Sequence, residues 1–285
     1  MTNVSIVVPV FNGEETIEKC LKSLLDLNYP KNKLEIIVVD NNSQDKTPKI
    51  VRKFPVRFLF ESIQSSFAAR NKGIKNAKYE IIAFTDADCV AHKNWVKELI
   101  KKFKDSEVMG VSGKILAYEK KTLTQKFTDD IIRKIWDTRT GLKWFEGANV
   151  AYRKKVFLKE GYFRNVLSSS DVAFSRKLKN KGYKLVFAKK AIIYHIDRKK
   201  VTELIKQFYK YGQGRLSYDK EKIFIEILKL SGSVFFSLLQ IVPSFLINRN
   251  EKKFYPILKV FMITSFFMGI LKEYMRILYS FLINL

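Results

Sequence analysis

Two aspartates one residue apart, Asp86 and Asp88, close an apolar run in IIAFTDADC, Ile81 to Cys89. Hard divalent cations take oxygen ligands, and Mg²⁺ usually bridges one or two carboxylates to substrate phosphates. The run Tyr79 to Phe84 reads as a buried strand. Carboxylates at the end of such a strand stand at the mouth of an open α/β sheet, where ligands bind. The chemistry on offer is a metal–nucleotide site. The same residues also suit an ordinary polar strand end ahead of a helix cap, so the surroundings must decide.

The elements that position the pair are legible in order. Val4 to Val10 is an apolar, β-branched run that suits a strand of a parallel sheet. Phe11-Asn12-Gly13 is a turn. Glu14 to Leu27 carries Ile17, Leu21, Leu24 and Leu25 at helical spacing. Leu34 to Val39 is a second strand, ending in Asp40-Asn41-Asn42-Ser43. A helix over Lys46 to Phe54, a strand over Val56 to Phe60 and a helix over Phe67 to Ala77 lead into the strand before Asp86. Strand–helix alternation with short connections specifies an α/β, doubly wound parallel sheet. Right-handed crossovers then bring Val10, Asp40, Glu61 and Asp86 to one edge. There Asp40 can accept a hydrogen bond from the N–H edge of a base. Arg70 offers a planar fork for diphosphate oxygens or a base carbonyl. Turn chemistry for Asp40 and a surface helix position for Arg70 are the plainer readings.

VSIVVPVFNGEETIEKCLKSLL, EIIVVDNNSQDKT and AARNKGIKNAKYEIIAFTDADC together resemble a family 2 glycosyltransferase with the GT-A fold, a Rossmann-like, mostly parallel sheet. The resemblance covers roughly residues 3 to 215. It implies a nucleotide-binding set of Pro9, Val10, Phe11, Glu14, Asp40, Arg70 and Asp86. It also implies Mn²⁺ or Mg²⁺ on Asp88, an inverting transfer and a nucleotide-sugar donor linked to UDP, GDP or dTDP. Asn41 is a departure, because many members carry a second aspartate there.

Further along, a helix is expected over Thr122 to Asp137, with Phe127, Ile131, Ile132 and Ile135 on one face. The segment Trp144 to Arg153 resembles the family's sugar and acceptor pocket, with Gly147, Ala148 and Asn149 as the contacts. A bulged strand is the plainer alternative. Ser168-Ser169-Ser170-Asp171 opens a helix over Val172 to Lys181. Its acid suits a helix N-terminus, and by resemblance Asp171 is the catalytic base. Ser170 stands where the family usually has a first acid, and Ala173 replaces a further aspartate. Two like charges are thus missing around Asp171. Leu185 to Ala188 and Ala191 to Tyr194 read as two short strands. His195 follows them and is by resemblance a third metal ligand or a diphosphate contact.

Net charge is +25, from 53 basic and 28 acidic residues, which points to anionic partners. Cys20 and Cys89 show neither a disulfide framework nor metal-ligand spacing. The N-terminal MTNVSIVVPV lacks a basic region ahead of its apolar run and is not read as a signal peptide. Arg198, Lys199, Lys200, Lys206, Lys210 and Arg215 make the region after His195 strongly basic, suited to an anionic membrane face. Leu230 to Asn248 carries no charge, and a second apolar stretch starts at Phe254. Both have narrow polar stripes. A C-terminal apolar helical hairpin is expected, and its basic turn favours a shallow or in-plane placement over a full crossing.

The expected organisation is a catalytic domain over 1–215 and membrane-associated helices over 216–285. The expected location is the cytoplasmic face of the cell membrane. The expected acceptor is a hydroxyl of a lipid-linked or cell-surface glycan, with no nucleic-acid partner. The competing reading is a basic nucleic-acid- or membrane-binding protein with a degenerate, non-catalytic version of the fold.

Overall fold

The computed structural model describes residues 1–133, 145–166, 168–215, 237, 239–241, 244 and 250–283. The chain divides into two units. The first takes residues 1–119, 133–165 and 171–197, and the second takes 120–132, 166–170 and 198–285.

The first unit is built on one eight-stranded sheet, in the order β3-β2-β1-β4-β7-β6-β8-β5. The strands are β1 Val4–Val10, β2 Leu34–Asp40, β3 Arg57–Phe60, β4 Ile81–Phe84, β5 Cys89–Ala91, β6 Val108–Ala117, β7 Val150–Arg153 and β8 Lys184–His195. All seven residues of β1 are buried, as a central parallel strand covered on both faces requires. Helices α1 Ile17–Leu25, α2 Thr47–Val51, α3 Ser66–Asn76 and α4 Trp95–Lys102 connect the first strands. Helix α1 buries Ile17, Cys20, Leu21 and Leu24, and α4 buries Trp95, Val96, Leu99 and Ile100. Both stripes follow the three–four spacing of one helix face. An aromatic cluster of Phe84, Tyr152, Phe157, Phe163 and Phe174 forms a further part of the core, with neighbouring ring centroids 5.0–6.0 Å apart.

Strands β1 to β4 pair in parallel, and the register sets Val10 level with Asp40 and Asp40 level with Phe60. Glu61 donates its N–H to the Asp40 carbonyl at 2.9 Å. The expected edge of strand ends is therefore present. The sheet is mixed, however, not wholly parallel. Strand β7 runs antiparallel to both β4 and β6, and β5 runs antiparallel to β8. Phe84 pairs with Val150, so the beginning of β7 arrives at the edge where β4 ends. Residues 145–149 reach that edge for this reason.

Two expected strands prove to be one. Strand β8 runs unbroken through Lys189-Lys190, but its register against β6 jumps from Gly113↔Ala188 to Lys114↔Ile192. Such a bulge leaves residues out of the ladder, and the two lysines are exposed there. This pair of charges rides outside the pairing without ending the strand. Helices α6 Lys154–Glu160 and α7 Ser170–Asn180 complete this part of the chain.

In the second unit Thr122 and Gln125 form a capping box on α5 Leu123–Phe127, the signature of a Thr-x-x-Gln start. The helix does not run regularly to Asp137. It gives way to a π-helical stretch over Thr128–Arg133, and residues 134–137, with Ile135, lie outside the described residues. Tyr255 donates to Asp130 at 3.1 Å, and Lys126 pairs with Glu251 at 2.9 Å. Helices α8 Val201–Arg215 and α9 Tyr255–Ile283 pack backbone to backbone. A Cβ on Gly212 would lie 1.9 Å from the Phe266 carbonyl, and one on Gly269 2.1 Å from that of Tyr209. Only glycine permits this approach. Most of the first helix of the expected hairpin, Leu230 to Asn248, lies outside the described residues.

Candidate active site

The loops after β1 and β2 are laced together. Asn12 N–H donates to Ser43 Oγ at 2.9 Å, Gly13 N–H to Thr47 Oγ1 at 2.8 Å and Glu14 N–H to Asp45 Oδ2 at 3.1 Å. In return the Glu14 carboxylate accepts Lys46 N–H at 3.0 Å. Glu14 thus holds the loop from an exposed position. Pro9 and Val10 are buried and Phe11 is exposed. Asp40, 3% exposed, accepts Ser43 N–H on Oδ2 at 3.3 Å, and its Oδ1 has no partner among the described residues. A buried carboxylate oxygen without a donor is costly, and this one has the capacity to accept a ligand N–H. Asn41 has a structural reason for its departure from aspartate. Its amide donates to the carbonyls of Glu61 and Ile63 at 3.0 and 2.6 Å, which a carboxylate cannot do.

Arg70 lies on α3, 5% exposed, and forms a close ion pair with Asp86. Its Nε has no partner among the described residues. Burial raises the Asp86 pKa against the pull of Arg70, with Asp88 adding to the rise. Asp88 Oδ1 stands 3.5 Å from His195 Nε2, because β5 pairs Cys89 with His195. The other face of the ring is fixed from behind. His195 Nδ1 is 2.9 Å from Asp197 Oδ1, and Arg133 Nη2 donates to both Asp197 oxygens at 3.1 and 3.0 Å. A carboxylate behind an imidazole is the usual device for orienting a ligating histidine. Burial alone would lower the His195 pKa, but Asp88 and Asp197 overcome it and bring it to about 9. The ring therefore carries a proton at neutral pH.

Asp88, Cys89 and His195 bring potential ligand atoms within 4.8 Å of one another. The Cys89 thiol is buried, and burial pushes its pKa well up. A thiol is a soft ligand, poorly matched to a hard cation, which leaves the carboxylate and the imidazole. This pair suits a divalent ion that completes its shell with substrate oxygens. A cleft of about 490 Å³, lined by His92, Lys93, Tyr118 and Tyr194 among others, adjoins β5 and β8.

The residues expected on the acceptor side fall into two groups. Gly147 N–H donates to Asp171 Oδ2 at 2.5 Å, while Asp171 Oδ1 accepts Val172 N–H at 2.9 Å. Asp171 is thus seated at the start of α7 and tied to the turn before β7. That turn also approaches Arg70, since a Cβ on Gly147 would lie 3.0 Å from Arg70 Nη2. Ala148 is buried beside it. Asn149 is different. It is wholly buried, accepts Trp95 Nε1–H at 2.8 Å, and donates to the carbonyls of Lys114 and Ala191 at 2.9 and 3.0 Å. Its amide joins helix α4 to strands β6 and β8, a structural use of a residue expected to contact the sugar. Trp144 lies outside the described residues.

Asp197, Arg133 and Glu146 are site residues that sequence reasoning missed. The signal for Asp197 was its spacing of two from His195. Glu146 lies within the segment Trp144 to Arg153, beside Gly147. Burial and then the Asp171 charge raise the Glu146 pKa to about 7, against the opposing pull of His195 and Arg133.

The sequence profile described as glycosyl transferase family 2 matches residues 5–167. Glycosyltransferase AglE of Haloferax volcanii is 31% identical over 222 residues, covering 75% of this chain and 73% of that protein. A dolichyl N-acetyl-α-D-glucosaminyl phosphate 3-β-D-2,3-diacetamido-2,3-dideoxy-β-D-glucuronosyltransferase of Methanococcus voltae is 24% identical over 249 residues, covering 75% and 73%. Among solved structures, the mannosyltransferase PcManGT of Pyrobaculum calidifontis, in complex with GDP-Man and Mn²⁺, superposes with a TM-score of 0.68 at 18% identity. That match covers 95% of this chain and 87% of the other.

Proposed function

Because the chain belongs to glycosyl transferase family 2 and is a glycosyltransferase of the GT-A fold, we propose that it moves a sugar, with inversion, from a nucleoside diphosphate to an acceptor hydroxyl at the residues described above. The observation that carries this reading is the meeting, at one sheet edge, of an Asp40 oxygen and an Arg70 Nε that have no partner among the described residues, the Asp88–His195 pair and Asp171. In this reading Asp40 Oδ1 accepts from the base, and Arg70 orients the donor beside Asp86. Asp88 and His195 would hold Mn²⁺ or Mg²⁺, which when bound supplies positive charge for the departing diphosphate. A relative's structure with GDP-Man and Mn²⁺ supports that assignment.

Asp171 takes the proton of the acceptor hydroxyl as its oxygen attacks the anomeric carbon. The new C–O bond forms as the bond to the diphosphate oxygen breaks, and the electron pair leaves with the nucleoside diphosphate. Gly147 N–H holds the base in place, so little motion is needed at the moment of reaction.

The acceptor proposed is a lipid-linked or cell-surface glycan at the cytoplasmic face of the membrane, with 1–215 as the catalytic part and 216–285 as the membrane part. Two observations support it. Glu251–Arg276 is long and apolar enough to cross a membrane. Within it Phe254, Phe261, Met268 and Met275 recur every seven residues and are exposed. The M. voltae relative's name, moreover, describes a dolichyl N-acetyl-α-D-glucosaminyl phosphate acceptor.

The test is Asp171→Asn. The variant should bind the nucleoside diphosphate as the wild type does and lose transfer by at least about 10²-fold, the scale of positioned acid–base catalysis. Loss of nucleotide binding in equal measure would remove Asp171 from the role of base.

A further inference from the structure

We infer that Glu146 is a further residue of the acceptor site, supplying from the turn before β7 the second carboxyl that Ser170 does not supply at the start of α7. This rests on the reading of Asp171 as the base. Glu146 is held between two anchors. Phe145 N–H donates to Ser175 Oγ at 2.9 Å, and Gly147 N–H donates to Asp171 Oδ2 at 2.5 Å. Both anchors are on α7, and the Glu146 carbonyl accepts Asn149 N–H at 3.2 Å. The turn cannot rotate without breaking all three. Its side chain is only partly exposed, and its carboxyl makes no hydrogen bond with the described residues.

The charges facing Glu146 come from four places. Asp171 on α7 and Asp86 after β4 repel its charge, while His195 on β8 and Arg133 attract it. Burial is the largest influence, and the result is a pKa of about 7. A carboxyl kept half-buried, without a donor and beside another acid is a poor structural element. Perturbed groups of this kind gather at functional sites. Paired carboxyls that their surroundings drive to different proton affinities share out acid and base roles. Ionised Glu146 has both oxygens available to accept hydrogen bonds from the acceptor sugar, whereas each Asp171 oxygen already accepts one backbone N–H. Glu146 therefore orients the acceptor whose proton Asp171 removes.

The experiment compares wild type with Glu146→Gln, Glu146→Asp and Asp171→Asn in the full chain. Donor consumption is followed from pH 5.5 to 8.5 with UDP-, GDP- and dTDP-sugars in Mn²⁺, with water and an octyl glycoside as acceptors. Melting and nucleoside diphosphate binding are recorded beside it. Glu146→Gln should bind nucleoside diphosphate within about twofold of wild type, as a residue off the donor must. It should lose tenfold or more in turnover at pH 8. The wild-type rate should rise through about pH 7 as Glu146 ionises, and the glutamine variant should lack that rise. Glu146→Asp should recover part of the rate. Melting should rise in Glu146→Gln, because a buried and repelled charge is removed without a bond being lost.

A glutamine variant with the wild-type rate and pH profile overturns the inference. So does one that melts several degrees lower, which would make Glu146 structural. If Asp171→Asn also matches wild type, or wild type consumes no donor, it is the reading beneath the inference that has failed.

Discussion

Gly147→Ala adds one methyl group to the tightest point of the site. The new Cβ would lie 3.0, 3.1 and 3.2 Å from Nη2, Cζ and Nε of Arg70, where ordinary contact begins near 3.4 Å. The guanidinium must therefore give way by a few tenths of an ångström. It has little room to do so. Its ion pair with Asp86 holds one side, and the Phe67 ring lies 5.3 Å from Cζ on another. Overpacking of this kind costs about 1–3 kcal/mol. The mutant will either accept that loss in stability or relieve it by displacing Arg70 from the place proposed for it beside the donor. In the second case the same energy appears as a roughly 5- to 150-fold weaker nucleoside diphosphate affinity, at about 1.4 kcal/mol per tenfold. Calorimetric titration with nucleoside diphosphate and urea unfolding, run on the same preparation, measure both. A variant with wild-type stability and wild-type affinity would show that Arg70 is not confined by this turn, and the proposed nucleotide pocket would lose its wall.

Asn149→Ala should destabilise the fold by about 3 kcal/mol or more, because Trp95 Nε1 and the carbonyls of Lys114 and Ala191 are left buried without their partner; urea unfolding reads this, and a variant of unchanged stability would return Asn149 to the list of ligand contacts. His195 gives a pH signature in chelator-treated protein. Its folded pKa of about 9 exceeds the ordinary 6.5, so its stabilising effect is complete below pH 6.5 and is lost as pH rises through about 9. At 1.36 kcal/mol per pH unit the window is worth about 3 kcal/mol, less what solvent at the ring removes. Unfolding at pH 6 and pH 9.5 should show the loss in wild type and a flatter profile in His195→Gln; parallel profiles would deny the Asp88–His195–Asp197 arrangement.

The parallel half of the sheet was legible because each strand there is a buried β-branched run ending in a polar cluster, and crossover handedness fixes the edge on which Asp40 and Asp86 fall. The second half obeys no such local rule. Nothing in the residues of β7 announces that it runs antiparallel to β4, yet that reversal is what brings Glu146 and Gly147 to the site. Asn149 was expected at the sugar because the segment Trp144 to Arg153 resembles the family's acceptor pocket. The bulge in β8 instead brings the Ala191 carbonyl within reach of its amide. Arg133 and Asp197 are 64 residues apart in sequence, and their pairing depends on long-range packing that spacing does not encode. The π-helical stretch ending at Arg133 likewise interrupts a helix that periodicity alone predicts to be regular.

The most direct test of the central claim is thermal and urea stabilisation of the detergent-solubilised chain by UDP, GDP and dTDP, with and without Mn²⁺, in wild type and Asp88→Asn. One nucleotide should stabilise wild type by about 2.7 kcal/mol at 100 times its dissociation constant. That effect should require Mn²⁺ and should vanish in Asp88→Asn. Stabilisation that is equal in the variant, or indifferent to Mn²⁺, would contradict a metal-held nucleotide diphosphate at Asp88 and His195.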